Sequence, residues 1–198
     1  MNETRAMWEQ FLTPNVTREK LISASLYITA FEILRESIIS RIRDFYINEW
    51  DTNGGIVGKE YEVEVLARNR STVYASLEWL VEREALTKED IESFEILKQT
   101  RNKLAHELHS HVMGIGESEI PHIAQFPNIV ALLRKVETWW IVNVEIPTNP
   151  DYEGSEIDED GIVSGPELSI HMLIEVISGN TDLLEAYKRG APQPKSTD

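Results

Sequence analysis

From Leu21 to Ile47, apolar residues recur at Leu21, Ala24, Ile28, Phe31, Leu34, Ile38, Ile42 and Phe45. This three-and-four spacing lines one face of a long α-helix. Thr17 is its expected N-cap, and neither Gly nor Pro interrupts the run. Asp51-Thr52-Asn53-Gly54-Gly55, extended by Gly58, predicts a loop. A second helix is expected from about Glu60 to Glu84, with Tyr61, Val65, Val73, Leu77, Leu80 and Val81 inward. Thr87-Lys88-Glu89-Asp90 reads as a variant capping box opening a third long helix. That helix carries Ile91, Phe94, Leu97, Leu104 and Leu108, and Gly114-Ile115-Gly116 should end it. Pro127 is expected in the first turn of a fourth helix with Ile129, Leu133, Val136 and Trp140 as its stripe. An acidic Gly/Pro loop over about 147–165 precedes a last helix, Pro166 to Lys188, capped by Ser164 or Gly165. The tail, 191–198, is expected to be disordered. No strand pattern and no internal repeat stand out. The prediction is an all-α fold, a bundle of about five long helices forming one domain over 1–190.

Composition adds exclusions. The 198 residues include no Cys, which removes disulfides, Cys-based zinc sites and thiol nucleophiles. The uncharged run Leu21–Phe31 has eleven residues, far short of a bilayer span. The first residues lack the basic-then-apolar order of a signal peptide, so a soluble, cytoplasmic protein with no membrane partner is expected. The net charge is −15, and it is unevenly placed. Residues 136–187 contain 12 Asp/Glu and no Lys or Arg, whereas residues 1–135 contain 16 Lys/Arg against 21 Asp/Glu. A field of this sign repels nucleic acid at long range. It leaves room for a local basic site in the first 135 residues, and it makes the acidic third a surface for solvent or a basic partner.

The densest chemistry lies at Arg101-Asn102-Lys103-Leu104-Ala105-His106-Glu107-Leu108-His109-Ser110-His111. On a helical wheel Phe94, Leu97, Ala105 and Leu108 define an arc, and Arg101 falls in its middle. A guanidinium does not give up its proton, so it must snorkel, meet a carboxylate such as Glu36, or face an anionic site at an interface. Arg101 and His106 are about 140° apart on an ideal helix, so one helix cannot aim both at one small group. Two copies of the helix, facing each other in a dimer, can.

Arg-Asn-x-x-x-His at the far end of a long helix in a small all-α protein resembles the signature of the HEPN superfamily. The similarity covers roughly residues 20–145 and is carried by the segment from Leu86 to Leu108. It implies a metal-independent ribonuclease site composed across a homodimer, with Arg101, the polar Asn102 and His106 as the catalytic residues, RNA as substrate and no cofactor. Many members of that family are toxins or antiviral effectors, so an antitoxin or other protein partner is implied as well. Others bind nucleotides or regulate without cutting. A frequent toxin variant has Tyr two residues after the His; here the position is Leu108, which departs from that subgroup. The residue types suit the chemistry on their own account. Attack of a 2′-oxygen on the adjacent phosphate needs a proton acceptor, a proton donor and a cation, and imidazole and guanidinium supply them.

Three other readings compete. His106, His109 and His111 invite a metal, but the order His-Glu-Leu-His lacks the spacing of a zinc helix, so no metal is assigned. Glu156 to Glu167 places carboxylates and Gly161 at positions of a calcium loop, yet Pro147 and Pro150 deny it an entering helix. A non-catalytic regulator, holding a basic protein through the acidic C-terminal third, is the alternative function.

Overall fold

The computed structural model describes residues 3–115, 120–152, 154 and 156–190. The expected tail from Ala191, and Gly116 of the expected helix stop, lie outside the described residues. A short α1 (Glu3–Phe11) leads into α2 (Pro14–Phe45), a 32-residue spine. A hairpin follows, β1 (Ile47–Asp51) and β2 (Gly54–Val57), then α3 (Lys59–Glu64) and α4 (Thr72–Glu82). The two longest partners of α2 are α5 (Lys88–Met113) and α6 (His122–Trp140). A π-helical turn, Ile141–Glu145, runs on into α7 (Ile146–Thr148). Two short 3₁₀ turns cross the acidic stretch before α8 (Gly165–Ile177) and α9 (Asp182–Gly190). The fold is an all-α bundle with one small sheet. Among the described residues, no helix is long and apolar enough to cross a membrane.

Helix α2 packs against α4, α5, α6 and α8. Its Ala24, Phe31, Leu34, Ile38 and Ile42 are buried as their spacing predicts, and they meet Phe94, Leu97 and Leu104 of α5 and Ile129, Leu133 and Val136 of α6. Helices α2 and α5 run antiparallel. Phe31 packs on Phe94 with ring centres 5.3 Å apart, the Tyr27 hydroxyl reaches the Leu97 carbonyl, and Lys20 reaches the carbonyls of His111 and Val112. At the other end Trp79 is buried among Tyr46, Trp139 and Trp140, with the Arg83 guanidinium 3.7 Å over its ring.

Several expected boundaries move. Helix α2 starts at Pro14, not after Thr17, because a proline at the first helical position loses no hydrogen bond. The expected loop at Asp51–Gly55 is the tip of an antiparallel hairpin pairing Trp50 with Gly55 and Asp51 with Gly54. Gly54 has φ +126°, and a side chain at Gly55 would collide with Ile47. The single helix expected over Glu60–Glu84 is broken: α3 ends at Glu64, a 3₁₀ turn spans Leu66–Arg68, and α4 begins at Thr72. There the Asn69 side chain accepts from the Ser71 N–H and offers the backbone an alternative to the helix. Helix α6 starts at His122, so Pro127 lies inside it rather than in its first turn. The expected Pro166–Lys188 helix is two helices, parted where Gly179 turns left-handed at φ +82°. Its cap is Ser164, whose hydroxyl accepts from the Glu167 N–H.

The start of α5 follows the sequence closely. Thr87 and Asp90 form a reciprocal capping box, and the Asp90 carboxylate also pairs with Lys135 of α6. Burial pushes the Asp90 carboxyl up, but the hydrogen bonds from Lys135 and the Thr87 N–H outweigh it and hold it below its ordinary value. Asp90→Ala should therefore cost about 1 kcal/mol, read by urea unfolding near neutral pH. A depressed pKa contributes stability that is full above the unfolded value, about 3.9, and that fades as pH falls through the folded one. Once the pH is below the folded value the variant and the parent should converge.

Candidate functional site

Arg101 and Asn102 sit just past the middle of α5, and each is half-buried. They line a cleft of about 310 Å³ between α2, α4 and α5. Its floor is apolar, made by Phe31, Val73 and Phe94, and its rim carries Glu32, Arg35, Lys98 and Arg101. Three cations, Arg35, Lys98 and Arg101, line it with the Glu32 carboxylate, and Lys98 is also paired with Glu95 at 3.4 Å, in a chain whose net charge is −15.

The Arg101 guanidinium meets a carboxylate, one of the three fates its place on the apolar arc allowed. The partner is Glu32, with Nη2 2.6 Å from Oε1. Glu36, offered by the sequence as an example, lies a turn further along α2 and accepts from the Ser40 hydroxyl. The reason is the lean of helical side chains toward the N-terminus of their own helix. In antiparallel helices Arg101 leans toward the level of Lys98 while Glu32 leans toward the level of Ile28, and the two converge. Arg101 Nη1 donates to Asn102 Oδ1 at 3.2 Å, and its Nε is buried with no hydrogen-bond partner in the structure. Glu32 also accepts from Arg35 at 3.3 Å through its second oxygen. Lys98 Nζ donates to the Tyr74 hydroxyl at 2.9 Å and lies over that ring.

His106 does not line this cleft; it is exposed, on a different side of α5. The structure therefore puts Arg101 and Asn102 together on the cleft and His106 outside its lining, about 140° from Arg101 on the helix and one turn beyond Asn102. His109 is exposed too, and His111 packs edge-on against His122 with ring centres 5.0 Å apart. Among the described residues, no three His, Cys, Asp or Glu side chains converge as metal ligands, in the His cluster or in the acidic stretch 156–167.

Sequence reasoning missed Glu32, Arg35 and Lys98. The i, i+3 pair Glu32/Arg35 reads as an ordinary exposed pair until α5 is laid beside it. It also missed two buried polar groups. His122 is buried, with Nδ1 2.9 Å from the Ile120 carbonyl and Nε2 3.0 Å from Ser23 Oγ. A carbonyl only accepts, so Nδ1 carries the proton. Glu137 is fully buried between α2 and α6, held by Arg41 and the Ser37 hydroxyl. Those hydrogen bonds to Glu137 push the Arg41 guanidinium up against the opposing effect of burial. Comparison with protein-family models, curated proteins and solved structures returns no match for this chain.

Proposed function

We propose that this chain is a metal-independent endoribonuclease of the HEPN type, acting as a homodimer and serving as a toxin or antiviral effector. The observation that carries the reading is the cleft on α5, where Arg35, Lys98 and Arg101 gather in an acidic protein with Arg101 and Asn102 side by side on its wall. In this reading the guanidinium holds a phosphate of the RNA and neutralises charge as the 2′-oxygen attacks. Asn102 orients that guanidinium. His106 of a second copy, free of the core and open to solvent, takes and returns the protons. The dimer should sediment at about twice the 22.7 kDa chain mass. The test is incubation of the purified protein with total RNA in EDTA, beside His106→Ala. Cleavage by the parent and not by the variant supports the reading; no cleavage by either, or activity restored only by added metal, sinks it.

One observation favours the non-catalytic alternative. Helices α8 and α9 leave Leu168, Met172, Val176, Leu184 and Tyr187 exposed in the acidic third, an apolar stripe suited to a basic amphipathic partner. Silence toward RNA, with a monomeric chain, would turn the reading that way.

A further inference from the structure

The cleft on α5 already contains an anion supplied by the chain itself. We propose that Glu32 is a tethered stand-in for phosphate, an internal competitor that RNA must displace before Arg101 can hold it, so that Glu32 sets the affinity of the site. This rests on the reading that Arg101 is the phosphate-binding cation.

The geometry of the pair points to a better-matched ligand than the one present. Glu32 gives one oxygen to Arg101 Nη2 and the other to Arg35, bridging the two across the cleft. Arg101 thus receives a single acceptor on the edge that presents both Nη2 and Nε, and the buried Nε–H goes without one. A guanidinium edge is built for two parallel hydrogen bonds, and a buried donor left unmade is costly. A phosphate group has oxygens enough to fill Nη2 and Nε together and still reach Arg35. The exchange asks little of the fold, because Arg101 and Glu32 are each about a third exposed, 32% and 37%, and pairs that open to water contribute little to stability. Displacement also removes a like charge from the path of the incoming phosphate. A carboxylate held in place by its own helix competes at high effective concentration, so the site in its resting form should bind RNA weakly.

The experiment uses a fluorescent 2′-O-methyl decaribonucleotide, which the proposed chemistry cannot cut, with anisotropy as the readout at low salt. Glu32→Gln keeps the shape and removes the charge, and it should bind at least ~10-fold more tightly than the parent. Inorganic phosphate should compete for that gain, and should raise the melting temperature of Glu32→Gln more than that of the parent. The gain should vanish in the double variant Glu32→Gln/Arg101→Gln. Glu36→Gln makes the same charge change one turn along α2, outside the lining of the cleft, and should shift binding by less than about threefold. Equal affinity in parent and Glu32→Gln, or a gain that survives loss of Arg101, overturns the proposal. The two failures are separable. If Arg101→Gln weakens binding in the parent background but Glu32→Gln gains nothing, the competitor idea falls and the phosphate site stands. If Arg101→Gln changes binding in neither background, the ribonuclease reading falls with it.

Discussion

RNA methylated on the 2′-oxygen of the scissile nucleotide is expected to survive incubation with this protein, and DNA should survive as well. The nucleophile in the proposed reaction is that oxygen, so blocking it removes the reaction rather than slowing it. The products from unmodified RNA should end in 2′,3′-cyclic phosphate. His106→Ala should lower the rate by about 10²–10⁴-fold, the usual worth of a positioned acid or base, with helix content and dimer unchanged because the side chain is exposed. Arg101→Ala should be as damaging, through loss of charge stabilisation at the phosphate. Mass spectrometry of the cut ends and the cleavage rates of parent and variants are the measurements. Efficient cutting of the methylated strand makes water the nucleophile and ends this mechanism.

Arg41→Ala should be the most damaging single change to the fold. Glu137 has no exposed surface, and Arg41 holds it through both Nη2 and Nε while a third bond reaches Glu145. Removing the cation leaves a buried carboxylate with no counter-charge and only the Ser37 hydroxyl to hold it, a loss of about 3–5 kcal/mol. Against a typical total of 5–15 kcal/mol for a domain, that is a large fraction. The double variant Arg41→Met/Glu137→Met should recover much of the loss, since an apolar pair of similar volume often replaces a buried ion pair without penalty. Urea midpoints for parent, single and double variants decide it. A single variant as stable as the parent would mean that water reaches Glu137.

The bundle is legible in the sequence wherever a helix buries one face only. The stripes of α2, α5 and α6 are clean because each has solvent on its far side, so Leu34, Leu97 and Leu133 could be assigned to the core from spacing alone. Helix α4 yields to the same reasoning only in part: Leu77 and Leu80 are buried as expected, but so are neighbours that the spacing did not pick. Ala75, Ser76, Leu77, Trp79 and Leu80 are all buried, and a helix covered nearly all round carries no phase. Leu21 and Phe45 fit the stripe of α2 and are nonetheless exposed, because the partner helices do not cover the ends of so long a spine. The hairpin escaped because β1 is exposed along most of its length and shows no alternation. At the site, Arg101 announced itself as a charge on an apolar arc, whereas its carboxylate partner depends on the relative direction of two helices, which no local pattern encodes.

The exposed last helix has a consequence for how the molecule opens. Every side chain described for α9 from Asp182 to Arg189 is exposed, and the helix has only nine residues. Isolated helices shorter than about 12–15 residues are marginal in water. The amides of α9 should thus exchange with deuterium almost as fast as those of a free peptide, at an opening free energy near zero. Those in the middle of α2, around Ala30 and Leu34, should exchange only when the whole bundle unfolds. One chain would then present two protection regimes, with Ser178–Asn180 as the frontier between them.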